Sequence, residues 1–262
     1  MNRFILNAMV LSLLAVSAPA MADLIIDAGE PTMTRHFEFG ATSTGSPRAA
    51  GDPYSNIDTF SGSGVANGGA ATVSGLLTTR YLADDLNPGL AYAGVGITRF
   101  DWCVANFNAS ATTARMRVRF HQDDIGAGPG TYTTGFSFTA TAIPVGVSCF
   151  FFDNVNPFMT IPANGRLWAG ITFDNSGAAG ATAALYNNLG MGLFDPPTQG
   201  TSLDKDFLTT AASVGNVQNP VGSVRTSPYA PLNANHGWRL VPEPSSISLL
   251  AVGALALIRR RR

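Results

Sequence analysis

The chain has 262 residues, a formal net charge of −1 at pH 7 and 45% hydrophobic residues, which is enough apolar material for a packed core and too much for disorder throughout. Only 13% of the residues are charged, and acidic residues outnumber basic ones once the two ends are set aside. A weakly acidic body lacks the cationic footprint that nucleic-acid binding needs, so we expect no nucleic-acid partner.

The N-terminus has the three-part layout of a cleavable secretory signal. Arg3 supplies a positive head, residues 4–16 form a mostly apolar run, and Ala20-Met21-Ala22 gives the small-x-small pattern. This layout predicts export through the secretion translocon, with cleavage between Ala22 and Asp23. The alternative is a permanent anchor, but the run is shorter than the roughly 20 residues of a membrane span.

Strand patterns dominate the body between the two ends. Apolar and polar residues alternate with a two-residue period over 93–107, 113–121, 134–145, 147–153 and 165–175, and turn signals separate these runs. Residues 41–56 are predicted to form a long loop, and glycine and serine dominate again over 59–71. The segment 71–86 fits a strand or a short helix, and 173–202 predicts long connections with one helical turn near 183–187. The sequence therefore predicts one all-β domain, an antiparallel β-sandwich of jelly-roll type, over residues 23–240.

Two cysteines lie in the body, Cys103 and Cys149. An exported chain meets an oxidising compartment, where an even pair favours a disulfide over two buried free thiols. On the chain-entropy model, a bridge that closes a loop of about 47 residues is worth ~4 kcal/mol.

Three arginines, Arg115, Arg117 and Arg119, alternate with apolar residues and fall on one face of a predicted strand. One interpretation is a cationic stripe for an acidic polysaccharide or a phosphate, because guanidinium groups bind planar anions with two hydrogen bonds. The other interpretation is pairing with carboxylates on a neighbouring strand. The acidic balance of the body favours the second.

The tryptophans divide into two kinds of context. Trp102 and Trp168 lie in apolar strand patterns, which predicts that they belong to the core. Trp238 lies outside an obvious core strand, so it is the best candidate for an exposed ring that stacks on a sugar.

Signatures of catalysis and metal binding are missing from the sequence. Neither Gly-x-Ser-x-Gly nor His-Glu-x-x-His occurs, and His36, His121 and His236 do not have metal-ligand spacing. Asp123 and Asp124 begin a glycine-rich loop that is compatible with Ca²⁺, but the loop lacks EF-hand spacing and a plain turn is favoured. We therefore expect no enzymatic activity, no cofactor and no metal.

The chain ends on a hinge, an apolar run and an arginine cluster. Pro242, Glu243 and Pro244 precede the run 247–258, which as a helix would span ~18 Å, short of the ~30 Å hydrocarbon core. By the positive-inside rule the last four residues would stay on the cytoplasmic side and leave the body outside. These four are Arg259, Arg260, Arg261 and Arg262.

This order of parts resembles the PEP-CTERM sorting signal, and the segments 114–132, 167–175 and 187–202 are similar to those of PEP-CTERM proteins of unknown function. The resemblance implies export in a Gram-negative bacterium and processing by an exosortase, a membrane enzyme analogous to the sortases. It implies a short transmembrane helix in the tail and delivery to the cell surface. It assigns no chemistry to the body.

The sequence thus predicts a signal peptide at 1–22, an exported domain at 23–240 and a sorting and anchor segment at 241–262. We expect a protein of the cell surface, extracellular matrix or biofilm with a non-catalytic structural or interaction role. The alternatives are a carbohydrate-binding module for exopolysaccharide and a hydrolase with an unrecognised aspartate site.

Overall fold

Strands make up nearly all the regular structure of the computed structural model, which describes residues 26–43, 51–123, 128–153, 157–178, 180–212 and 219–243. The predicted signal cleavage at Ala22 and Asp23, and the tail from Pro244 to Arg262, lie outside the described residues. A 3₁₀ turn, Leu90–Tyr92, and a single-turn helix α1, Ala183–Asn187, are the helical elements of the described ranges.

The strands in chain order are β1 (Ile26–Asp27), β2 (Thr32–Phe37), β3 (Tyr54–Ser55), β4 (Phe60–Ala66), β5 (Ala71–Val73), β6 (Leu76–Thr78), β7 (Leu82–Leu86), β8 (Gly96–Asn106), β9 (Thr112–Asp123), β10 (Pro129–Ile143), β11 (Gly146–Asp153), β12 (Met159–Thr160), β13 (Leu167–Asp174), β14 (Leu189–Phe194), β15 (Lys205–Thr209), β16 (Gly222–Thr226) and β17 (Trp238–Pro242).

These strands form two open sheets. The first sheet has the order β1-β10-β9-β13-β7-β15-β16, with β5 and β6 attached beside β13. The second sheet has the order β2-β11-β8-β14-β4, with β12, β17 and β3 attached around β8. Pairing is antiparallel except between β1 and β10, which run parallel, so the expectation of a wholly antiparallel arrangement is wrong at this edge.

The main core lies between the two sheets and is rich in aromatic rings. Phe100 and Trp102 of β8 face the first sheet, where the ring centroid of Phe100 lies 5.1 Å from that of Phe120 and the centroid of Trp102 lies 4.7 Å from that of Phe138. All four side chains are buried. Alternation along β8, β9 and β10 places these rings on the inner faces, as the two-residue period predicts.

The prediction of an all-β chain is confirmed, and each of the five alternating runs contains a long strand. The helical turn predicted near 183–187 is also present, as α1, with Thr182 as its N-cap. The region 71–86 forms the strands β5, β6 and β7 and no helix.

The glycine-rich stretch 59–71 contains the strand β4, and the predicted long connections over 173–202 are wrong at β14, because these two strands are paired. A Cβ added at Gly64 of β4 would lie 2.8 Å from the backbone oxygen of Met191, and one added at Gly190 of β14 would collide with the backbone of Val65. Glycine is therefore needed here for the close approach of two strands, and it does not mark a loop. Among the helices that the structure describes, none has the length and hydropathy of a membrane span.

Candidate functional site

The beginning of the predicted sorting segment is part of the second sheet. Strand β17 pairs with β8 from Trp238, opposite Trp102, to Pro242, opposite Ile97, with a register shift before Pro242. Beyond the strand, the backbone N–H of Glu243 donates to the carbonyl oxygen of Gly96 at 3.1 Å. Pro242 and Glu243, which were predicted to form an extended hinge, are therefore extended but attached to the body, while Pro244 lies outside the described residues.

Alternate side chains fix β17 from both faces. Trp238 and Leu240 are fully buried in the core. Arg239 points the other way, with its Nε 2.7 Å from an oxygen of Asp52 and its Nη1 3.3 Å from an oxygen of Asp101. On the side away from β8, β3 pairs with Arg239 and Leu240, so these two residues have a strand on each side.

The burial of Trp238 overturns the prediction that its ring is exposed for sugar stacking. Its ring packs edge-on against Phe120 with centroids 5.9 Å apart, and none of its surface is accessible. The sequence pattern does not predict this strand, because the strand is short and a glycine precedes it. Trp102 and Trp168 are also buried, on β8 and β13.

Cys103 of β8 and Cys149 of β11 face each other across the second sheet and form a disulfide. Both are buried in a smaller apolar cluster on the outer face of this sheet, which includes Phe60, Val147 and Phe194. The bridge therefore joins two neighbouring strands directly.

The three arginines of β9 share the outer face of the first sheet, but they do not form an exposed stripe. Nη2 of Arg115 lies 3.2 Å from a carboxylate oxygen of Asp27, and Arg117 forms an ion pair with Asp174. Arg119 is fully buried, and its Nη1 donates to the carbonyl oxygen of Val118 at 3.0 Å. Because these guanidinium groups are covered or occupied, the interpretation of a cationic binding stripe is wrong.

A buried polar cluster between the sheets was missed at the sequence level. Asp84 of β7 and Asp206 of β15 are directly opposed, and alternation with Leu82 and Leu208 turns both carboxylates toward the interior. The backbone N–H of His236 donates to Asp84 at 2.8 Å. The only signal was that Asp84 has the parity of Leu82 and Leu86, which places it on the core face.

The two opposed carboxylates of this cluster have opposite pKa shifts. Burial and the nearby charge of Asp85 raise the pKa of Asp84 well above its ordinary value. Burial also acts to raise the pKa of Asp206, but His236, Arg225 and Tyr229 stabilise its charge and hold the pKa below its ordinary value. The imidazole Nε2 of His236 lies 3.8 Å from Asp206, which is within ion-pair range but too far for a hydrogen bond.

A proton donor and an acceptor with separated pKa values are the elements of general acid–base catalysis. Asp84, Asp206 and His236 nevertheless have no accessible surface, so substrate cannot reach them in this conformation. In this conformation the cluster connects β7, β15 and the segment before β17. His36 and His121 lie elsewhere, hydrogen-bonded to Ser148 and Tyr81.

Of the two carboxylates considered for Ca²⁺, the one that the structure describes has a protein partner. Asp123 accepts a hydrogen bond from the indole N–H of Trp168 at 3.0 Å, while Asp124 lies outside the described residues. Across the ranges that the structure describes, no group of three or more His, Cys, Asp or Glu side chains is placed to hold a metal ion.

An open pocket of about 500 Å³ lies between the turn after β7 and the turn before β13. It is lined by Asn87, Gly89, Leu90, Asn164 and Arg166. The two turns are held together by a hydrogen bond from Gly89 N–H to the carbonyl of Gly165, at 3.1 Å. Leu90 is 73% exposed, and Arg166 is exposed without an ion pair among the described residues.

Comparison with known proteins gives one match, at the C-terminus. The family model of the PEP-CTERM protein-sorting motif matches residues 240–262, beginning within β17. No curated protein and no solved structure matches the chain. The motif identifies an exported chain that transits the membrane and is a target of exosortase. The protein therefore carries the PEP-CTERM protein-sorting motif at its C-terminus, over residues 240–262.

Proposed function

We propose that this protein serves at the cell surface or in the extracellular matrix of a Gram-negative bacterium, as a non-catalytic structural or interaction module with a β-sandwich body. The signal at residues 1–22 directs it to the translocon, the tail holds it transiently in the inner membrane, and exosortase then removes the tail. The observation that carries this proposal is the continuity of the matched motif with β17. The folded body is thus the cargo of the sorting signal.

The absence of a catalytic role is supported by how the titratable groups are placed. The constellation closest to an acid–base pair, Asp84 with Asp206, is sealed between the sheets. The arginines of β9 are engaged in the first sheet. The low share of charged residues, 13% of the chain, and the disulfide between β8 and β11 also suit a structural component.

Fractionation of a bacterium that has an exosortase, alongside a strain that lacks it, tests this function. We expect the protein in the surface or extracellular fraction of the first strain and in the inner membrane of the second. A chain that ends at Glu243 is the matched control, because it keeps β17 and should be exported without membrane retention. Accumulation of the full chain in the inner membrane of both strains would contradict the proposal.

A second candidate function, carbohydrate binding, is favoured by the pocket beside Arg166. Arg166 has no ion pair among the residues that the structure describes, and a guanidinium can bind a planar carboxylate with two hydrogen bonds. Leu90 offers an apolar surface next to it. The ligand class would be a polysaccharide that contains carboxylated sugars. This site replaces the binding residues predicted from the sequence, Arg115, Arg117, Arg119 and Trp238, which are paired or buried.

Titration with a uronic-acid oligosaccharide, and with a neutral glucan of equal length, tests the second candidate. We expect binding of the acidic ligand only, and a loss of about tenfold or more in Arg166→Ala, in line with a charged hydrogen-bonding pair. Arg166→Lys is the matched control, because it keeps the charge and removes the paired geometry, so it should bind at an intermediate level. Equal affinity of Arg166→Ala and the unaltered protein would exclude this pocket.

A further inference from the structure

The first residues of the sorting motif are structural residues of the body. The motif match begins at Leu240, which is fully buried, and β17 remains paired with β8 as far as Pro242, with a register shift between Val241 and Pro242. Two more contacts extend the attachment: the hydroxyl of Thr98 lies 3.4 Å from the carbonyl oxygen of Pro242, and the N–H of Glu243 donates to Gly96. The body and the sorting signal therefore overlap over Leu240 to Glu243.

This overlap restricts where a processing enzyme can act. Enzymes that recognise extended peptides bind backbone N–H and C=O groups and alternate side chains around the site. In β17 the backbone groups are already bonded to β8, and Leu240 lies in the core. Cleavage inside the strand would first require it to separate from the sheet, and such open states are rare when buried side chains must leave the core.

The short distance between the end of β17 and the membrane also restricts where the enzyme can cut. Pro244, Ser245 and Ser246 separate Glu243 from the apolar run that begins at Ile247. Four residue steps span at most about 14 Å, so the last strand of the body lies close to the bilayer surface while the tail is inserted. A membrane enzyme has the short segment after Glu243 within reach.

We propose that the sorting cut lies on the C-terminal side of Glu243, so that the mature protein keeps the whole of β17 together with the Pro-Glu of the motif. The peptide C–N bond is broken by water, which leaves a carboxylate on the last residue of the body and an amine on the released tail. An alcohol or amine acceptor in place of water would add its own mass without moving the broken bond. This inference rests on the proposed function, because it requires that the tail is processed.

The direct test is mass spectrometry of C-terminal peptides from the full chain after expression in a cell with exosortase. We expect every processed C-terminal peptide to contain Glu243. Peptides that end at Leu240, Val241 or Pro242 would overturn the position of the cut and leave the proposed function standing. Recovery of tail peptides through Arg262 alone would instead refute processing, and the inference would fall with it.

Limited proteolysis of the purified full chain tests the protection separately from exosortase. We expect trimming of the tail by a non-specific protease to stop at Glu243 or later. Glu243→Pro removes the N–H that bonds to Gly96, so the protease should trim this variant one or two residues further. Glu243→Ala keeps the N–H and should be trimmed to the same residue as the unaltered chain. Trimming of the unaltered chain into 238–242 would overturn the proposal.

Discussion

Replacing Trp238 by alanine separates the role that the structure gives this residue from the one that the sequence predicted. The indole is fully buried, its ring packs against Phe120 with centroids 5.9 Å apart, and its N–H has no hydrogen-bond partner among the described residues. The cost of the substitution is therefore a loss of packing and of apolar burial. Truncation of a buried tryptophan costs about 3–5 kcal/mol.

For a domain of this size each kcal/mol lowers Tm by about 2–4 °C, so Trp238→Ala should lower Tm by roughly 6–20 °C. Thermal unfolding followed by circular dichroism measures this change. Val221→Ala is a suitable control, because Val221 is 77% exposed and its truncation should leave Tm almost unchanged. If Trp238→Ala changed the free energy of unfolding by less than about 1 kcal/mol, as expected for the control, the burial of this residue would be refuted and its ring would be exposed.

Three further predictions concern the ion pairs, the disulfide and the buried acids. Arg117→Met should lower the free energy of unfolding by about 3–5 kcal/mol, measured with denaturant, because it leaves the buried carboxylate of Asp174 without its cation. If the loss of the ion pair is the cause, adding Asp174→Leu should recover much of this stability. Reduction of the Cys103–Cys149 disulfide should lower the free energy of unfolding by ~4 kcal/mol on the chain-entropy model. The variant with serine at both positions should show the same loss, and adding the reductant to that variant should have no further effect. Burial raises the pKa of Asp85 from 3.8 to about 7, so the folded state binds more protons than the unfolded state between these values. Stability should therefore fall as pH rises from about 4 to about 7, and Asp85→Asn should flatten the dependence of Tm on pH; an equal slope in both proteins would contradict this assignment.

The long strands were predictable from the sequence because their alternation is regular. In β9, Arg115, Arg117 and Arg119 alternate with apolar residues, and the pattern identifies both the strand and the face that each side chain occupies. The partners of those arginines were not predictable, because Asp27 and Asp174 are brought to β9 by strands distant in the chain. A periodic pattern gives the orientation of a side chain and leaves open what covers it.

The missed elements have a common cause, which is tertiary contact that overrides a local signal. Glycine in β4 and β14 indicated loops, but it permits two strands to approach each other closely. Strand β17 is short, its hydrogen bonds come from β8 and β3, and the ring of Trp238 packs against Phe120 of β9. Nothing local therefore marks Trp238 as a core residue. The sorting motif, by contrast, was readable because its recognition depends on a contiguous order of residues.

The intact mass of the protein from the native surface fraction tests the central claim most directly. A mass that starts at Asp23 and lacks the residues after the Pro-Glu-Pro segment would show that both ends direct the protein and are then removed. A mass that retains Arg262 in the presence of exosortase would contradict this account and would make the protein a permanent component of the inner membrane.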